Sequence, residues 1–263
     1  MITDRVALRP FLLAILLAST ASACQSKPEV DPAELAAKLE RDLEKARVRL
    51  RDGKVDDAKL LYQNVLDHQP DNPEALYGMG RVAYEKSDND RAQKLLEKAV
   101  AAKADVADYH AALGAVFVSK KSYAEAAAAY GKAFELDGDN GDYGLKQGEN
   151  LNEAKKFAEA EAVLRKVAEV DIKARFVLSE LGHALREQGN LDEALTTYMK
   201  AQTENPDDKM AYAGAALVYE AKDDNKHALD QWSTYIRMDC CSEYSETVAR
   251  KKMMELSPAA ADG

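Results

Sequence analysis

Six alanines stand 34 residues apart, at Ala58, Ala92, Ala126, Ala160, Ala194 and Ala228, with no insertion or deletion between them. A fixed period of that length requires one supersecondary unit used again and again, each copy burying its apolar face against its neighbours. Such an array recognises other molecules on a surface that runs across several units, so candidate functional residues have to be sought among positions the packing does not consume.

Each period divides into two amphipathic helical halves, separated at Gly53, Ser87-Asp88, Lys121-Ser122, Lys155-Lys156, Gly189-Asn190 and Asp223-Asp224. Twelve residues before each ladder alanine comes a small residue: Ala46, Gly80, Gly114, Gly148, Gly182 and Ala216. Four residues after it comes a large one: Tyr62, Leu96, Tyr130, Leu164, Tyr198 and Trp232. Residues i and i+4 share a helix face. The spacing therefore predicts that the small residues let two helix axes approach while the large ones fill the space beside them.

This pattern resembles the tetratricopeptide repeat (TPR) family. The fifth repeat carries the signature through Leu178, Leu181-Gly182, Leu185, Gly189-Asn190-Leu191-Asp192-Glu193-Ala194, Tyr198, Ala201 and Pro206, and the second through Leu76, Met79-Gly80, Ala92, Leu96 and Ala99. The first and sixth depart from it, with Lys45-Ala46 and Ala215-Ala216 where Leu-Gly is usual. The resemblance implies an all-α TPR solenoid of six in-phase 34-residue helix-turn-helix repeats, at about 39–72, 73–106, 107–140, 141–174, 175–208 and 209–242. A C-terminal capping helix is expected at 243–256, with Val248, Met253 and Leu256 covering the last apolar edge and Arg250, Lys251 and Lys252 exposed, followed by a disordered tail at 257–263. Ahead of the repeats, Asp31-Pro32-Ala33-Glu34 combines a side-chain cap, a proline at the first helical position and an acid in the first turn. A helix is expected from about Pro32 to Arg51.

Residues 1–23 read as an export signal, with Arg5 and Arg9, then the apolar run Phe11 to Ala18, then Ala21-Ser22-Ala23. The run is shorter than the roughly 20 apolar residues a spanning helix needs. Small residues followed directly by Cys24 resemble the bacterial lipoprotein signal, which implies that Cys24 carries the lipid. Gln25 after it implies sorting to the outer membrane, with residues 24–31 as a tether and the repeats in the periplasm. Two or more acyl chains hold a protein stably to a bilayer. Ala21 stands where that family more often has Leu, which leaves cleavage as an ordinary secreted protein as the other reading.

Charge and motif patterns narrow the functional classes. Acids outnumber bases 46 to 36, for a formal net charge of −10, and the bases are interspersed with acids. Nucleic acid, which is bound by clustered Lys and Arg, is not an expected partner. Gly78-Met79-Gly80-Arg81-Val82-Ala83 fits a dinucleotide-binding pattern but falls inside a helical segment with no strand before it, so a helix contact is the expected role. Asp137 to Asp142 starts like a calcium loop, but Gly148 stands where the bidentate acid belongs, so an inter-repeat turn is expected. The histidines at 68, 110, 183 and 227 fall in four different repeats and never at metal-site spacing, and His110 is expected to be a packing residue. Neither a metal nor a cofactor nor catalysis is expected. Cys240-Cys241 could form a vicinal disulfide, bond another chain or stay reduced, with a structural turn favoured over a redox switch.

The resemblance also implies a concave groove lined by the first helix of each repeat. Its candidate partner-binding residues are Arg47, Tyr77, Arg81, Tyr84, Leu145, Phe176, His183, Arg186 and Leu217, with Leu43, Leu50, Val118, Glu149, Asn152, Met210 and Ala213 at equivalent places. The apolar members favour a helix or extended segment laid in the groove. The pattern lacks the Lys and Asn of the TPR proteins that clamp chaperone C-termini. Lipid signal, length and repeat count together resemble the pilotins of type IV pilus systems, myxobacterial social-motility members among them. That resemblance implies an assembly factor for a secretin; a scaffold lipoprotein of a polysaccharide-export or cell-wall machine is the alternative.

Overall fold

The computed structural model describes residues 31–170 and 176–257. The signal segment, Cys24 with its lipidation, the tether up to Val30 and the tail from Pro258 lie outside the described residues. By internal contacts the chain divides into Met1–Lys38 and Leu39–Gly263. The described part of the first unit is the opening of a helix, where the Asp31 carboxylate accepts the Ala33 N–H at 2.9 Å.

The rest is a succession of helix pairs. They are α1 (Pro32–Arg51) with α2 (Val55–His68), α3 (Pro73–Glu85) with α4 (Asn89–Ala102), and α5 (Ala107–Ser119) with α6 (Tyr123–Leu136). Then come α7 (Gly141–Glu153) with α8 (Phe157–Val170), α9 (Val177–Glu187) with α10 (Leu191–Glu204), and α11 (Lys209–Ala221) with α12 (Asn225–Met238). A π-helical turn, Ser245–Ala249, leads into α13 (Arg250–Leu256). The described residues contain helices and no strand.

Each pair closes through the same backbone device. Gly53, Ser87, Lys121, Lys155, Gly189 and Asp223 all take a positive φ, between 57° and 82°. The next residue's N–H then donates to a carbonyl five residues back, as in Lys54 to Arg49 at 2.8 Å, Asp88 to Ala83 at 2.9 Å and Asn190 to Leu185 at 2.9 Å. This closure satisfies carbonyls the helix end would otherwise orphan, and it needs a left-handed residue. Only two of the six positions use glycine, the residue that accepts that conformation freely.

The ladder alanines are all fully buried. A methyl group at Gly80 would lie 2.7 Å from Leu96 Cγ, at Gly114 2.9 Å from Tyr130 and at Gly182 2.8 Å from Tyr198, and at Gly148 it would collide with Leu164. Each of these four glycines is thus pressed by the large residue of its own pair. The tyrosines are used twice. The ring tips of Tyr62 and Tyr198 also fill the space above Gly78 and Gly214, sixteen residues on in the next pair's first helix. At the matching place after Tyr130 stands Lys146, whose Nζ lies 5.9 Å over the ring. Tyr-to-Gly at sixteen residues is a packing signal the sequence carries and the 34-residue period conceals. Gly78 and Gly80 are accordingly helix-contact residues within α3.

At the C-terminus Met253 and Leu256 pack against the cluster of Ala213, Ala216, Trp232, Tyr235 and Ala249. Lys252 differs from the expectation of exposure, because its Nζ reaches back 2.6 Å to Glu220 on α11. Cys240 and Cys241 are bonded to each other in the turn after α12.

Candidate functional site

Most of the candidate groove residues divide between two clefts and the core. Arg47, Tyr77 and Arg81 line an N-terminal cleft of about 600 Å³ with Leu50, Val55, Tyr62, Glu85 and Asp108. Its polar groups largely answer one another. Arg47 pairs with Glu44 at 3.1 Å and with Glu74 at 2.7 Å. The Arg81 guanidinium lies 5.8 Å over the Tyr77 ring. The Tyr143 hydroxyl donates to Asp108 at 2.6 Å, and burial followed by this bond pushes its own pKa upward.

His183, Arg186 and Leu217 line a second cleft of about 520 Å³ with Met210, Ala213, Gly214, Tyr198 and Tyr244, between α9, α11 and the segment after α12. Its floor is apolar, and Met210 and Tyr244 are among the exposed large hydrophobic side chains, at 52% and 39%. The flanking cations are engaged: Lys209 with Asp239 at 2.8 Å and Arg186 with Glu187 at 2.7 Å. Burial, and then the Arg186 charge, lower the His183 pKa, so its imidazole is neutral at pH 7.

The remaining candidates are placed elsewhere. Leu145 is 8% exposed and sits in the core cluster with Phe134, Leu151 and Leu164. It offers a ligand almost no surface, because α7 is held by α6, α8 and α9. Leu43 and Leu50 are likewise buried. Tyr77 stacks on Tyr109 with ring centroids 4.7 Å apart, and Tyr84 packs against the Ala83, Leu96 and Val116 cluster with its hydroxyl 3.2 Å from Ser119 Oγ. Both aromatics thus brace α3 against α5, the packing role that competes with ligand contact. Phe176 is exposed and precedes α9 with a φ of 71°.

Glu180 also lines the C-terminal cleft. Burial raises the pKa of its carboxyl; a hydrogen bond from Asn152 opposes the rise, and the charges of Glu149, Glu153 and Asp208 add to it. The pKa of Glu149 is raised by its own burial. Among the described residues no three of His, Cys, Asp and Glu are grouped to hold a metal ion. His110 is a packing residue, with Nε2 2.9 Å from the Ala104 carbonyl.

Paired helices with open clefts and a core built from repeat positions define the class: a helical-repeat scaffold for protein interaction. Family models described as tetratricopeptide repeat match residues 49–116, 107–140 and 179–235, which together take in more than half of the chain. The chain belongs to the tetratricopeptide repeat family, and its fold is the TPR solenoid, whose members are in general non-catalytic protein-interaction scaffolds. No curated protein matches the chain.

Solved structures with the same fold include YrrB, described as a TPR protein with an unusual peptide-binding site. It has 21% identity, a TM-score of 0.60, and coverage of 72% of this chain and 97% of that one. PilF of Pseudomonas aeruginosa gives 16% identity and a TM-score of 0.64, over 82% of this chain and 98% of its own. A tetratricopeptide repeat protein of Parabacteroides merdae gives 16% and 0.67, over 83% and 86%. At these identities the likeness is one of fold.

Proposed function

We propose that the chain is an assembly factor anchored by lipid at Cys24 to the bacterial outer membrane, with its repeats in the periplasm. There it binds an envelope protein in its groove, and the reading that fits best is a pilotin that promotes secretin assembly for type IV pili. The observation that carries the binding role is the apolar C-terminal cleft, where Met210 and Tyr244 stand exposed beside Leu217 and Ala213. Exposed apolar side chains around a concavity mark sites where another protein excludes water. The peptide-binding site described for YrrB, a protein of the same fold, supports this use of a groove. The signal segment ending in Ala21-Ser22-Ala23-Cys24 supports the anchor.

The test combines deletion with capture. Deleting the gene should abolish secretin multimers and surface pili, and the full chain should retain the secretin from detergent-solubilised envelopes while Met210→Glu does not. Unchanged multimers and pili in the deletion strain would overturn the pilotin reading.

A further inference from the structure

The sequence favours a structural turn at Cys240 and Cys241, and the structure makes that turn a wall of the C-terminal cleft. The two cysteines are bonded to each other and both are exposed. Asp239 on one side of them and Ser242 and Tyr244 on the other line the cleft. A disulfide between neighbours in sequence encloses no loop, so it lacks the stabilisation that cross-links gain by restricting a long stretch of the unfolded chain. What it restricts is local. The two side chains and the peptide between them close one ring, which holds the backbone torsions of both residues.

The ring joins two halves of the wall that are each tied down. Before it, Asp239 accepts from the Tyr235 hydroxyl at 3.0 Å and from Lys209 Nζ at 2.8 Å, and its own N–H donates to the Tyr235 carbonyl at 2.9 Å. After it, the Ser245 N–H donates to Ser242 Oγ at 3.1 Å, and the Tyr244 ring packs edge to face with Tyr235 at 5.8 Å and lies 6.4 Å from Trp232. At the ring itself Arg250 Nη2 reaches the Cys240 carbonyl at 3.3 Å, a longer contact than those on either side. The disulfide is therefore the covalent joint between the two halves, and the half that follows it carries the exposed Tyr244.

We propose that Cys240 and Cys241 form a redox switch that sets the shape of the C-terminal cleft: bonded, they hold Tyr244 in the wall that receives the partner, and reduced by a dithiol protein they release it. The inference rests on the reading that a protein partner lies in this cleft. In the reduction one thiolate of the dithiol attacks one sulfur of the pair, the sulfur–sulfur bond breaks, and the other cysteine leaves as a thiolate that takes up a proton. The dithiol's second thiolate then displaces the first cysteine, which is protonated in turn, so the reductant ends as a disulfide and the chain gains two thiols. Exposure of both cysteines gives the attacking thiolate its access. A wall already held in its bound shape spares the cost of ordering it, so the bonded state binds the partner more tightly.

The experiment follows the full lipoprotein in detergent, isolated with iodoacetamide present, before and after treatment with dithiothreitol. Peptide mass spectrometry should find Cys240 and Cys241 unlabelled as isolated and both labelled after reduction. Trp232 is the chain's one tryptophan and lies beside Tyr244, so its fluorescence should change on reduction and recover on reoxidation, with far-ultraviolet circular dichroism unchanged. Secretin retention by the chain, reduced and then freed of dithiothreitol, should fall about tenfold. Cys240→Ser combined with Cys241→Ser should match the reduced state with or without dithiothreitol. Both cysteines labelled as isolated, a reduced chain whose Trp232 fluorescence is unchanged, or a dithiothreitol response that persists in the double variant would each overturn the proposal. Secretin retained equally in both states removes this inference alone; a reversible Trp232 response with no secretin retained in either state removes the pilotin reading alone.

Discussion

The two clefts sit on the same repeat register and differ in how their surfaces are satisfied. In the N-terminal cleft Arg47 is answered by Glu44 and Glu74, Asp108 by the Tyr143 hydroxyl, and Arg81 rests on Tyr77. In the C-terminal cleft Tyr198, Ala213 and Leu217 supply apolar lining, Met210 is 52% exposed, and the Glu180 carboxylate accepts from Asn152 while the charges of Glu149 and Glu153 oppose its ionisation. Beneath both lies the same joint, Tyr62 on Gly78 in one and Tyr198 on Gly214 in the other. Scaffold and recognition surface therefore vary independently: the ladder fixes where the groove runs, and residues between its rungs decide whether a stretch is closed to partners or open.

The sharpest way to break that comparison is to remove the shared joint. Tyr198→Ala and Tyr62→Ala should each cost about 3–5 kcal/mol in urea unfolding, the usual loss for emptying a buried aromatic site. Both rings are 2% exposed, so the two costs should be similar. A cost below about 1 kcal/mol for Tyr62→Ala alone would mean that the repeats are not mechanically equivalent.

A second test separates the surfaces. Met210→Glu should reduce partner capture at least tenfold, while its effect on stability stays within about 0.5 kcal/mol, as for other exposed positions. Arg81→Glu, in the cleft whose charges are already answered, should leave capture within about twofold. If Arg81→Glu is the more damaging of the two, the partner lies in the N-terminal cleft and the contrast drawn between them is reversed.

What the sequence made legible follows from what is periodic. The ladder alanines, the small residues before them and the large residues after them repeat every 34 positions, and each lies where that rule puts it. Groove positions carry no such repeat, and an apolar residue there reads the same whether it faces a ligand or the next helix. Leu145 is buried by α6, α8 and α9, whereas its equivalent two periods on, Ala213, and Leu217 one helical turn further line a cleft, and only the packing of neighbours separates these places. The setting of Glu180 was hidden for a different reason: Asn152, which donates to it, is 28 residues away in sequence and reaches it only through the contact of α7 with α9.

The turns offer a smaller effect. Lys155 holds a left-handed φ of 58° at a place where Gly53 and Gly189 serve in other repeats. A side chain there costs roughly 1–2 kcal/mol that glycine avoids, less the extra chain entropy glycine loses on folding. Lys155→Gly should raise stability by up to about 1 kcal/mol, and Gly53→Ala and Gly189→Ala should lower it by a similar amount. Thermal melts of the three variants check the set, and a loss in Lys155→Gly would show that its side chain makes a contact worth more than the strain.

The smallest effect tests the Glu180 carboxyl through pH. Burial holds the Glu180 carboxyl above its ordinary value in the folded protein, with Glu149 and Glu153 on α7 and Asp208 before α11 adding repulsion and Asn152 opposing it. The folded state thus binds the Glu180 proton more tightly than the unfolded chain does. Above the raised pKa the ionised carboxylate burdens the fold in full; as pH falls through it the burden lifts, and it is gone below the unfolded value of about 4.3. Glu180→Gln keeps an acceptor for Asn152 and removes the charge, so it should raise the melting midpoint at pH 7 by a degree or two. The gain should shrink as pH falls and vanish near pH 4. A Glu180→Gln midpoint below that of the natural chain at pH 7 would mean that the carboxylate's hydrogen bond with Asn152 outweighs the cost of its burial.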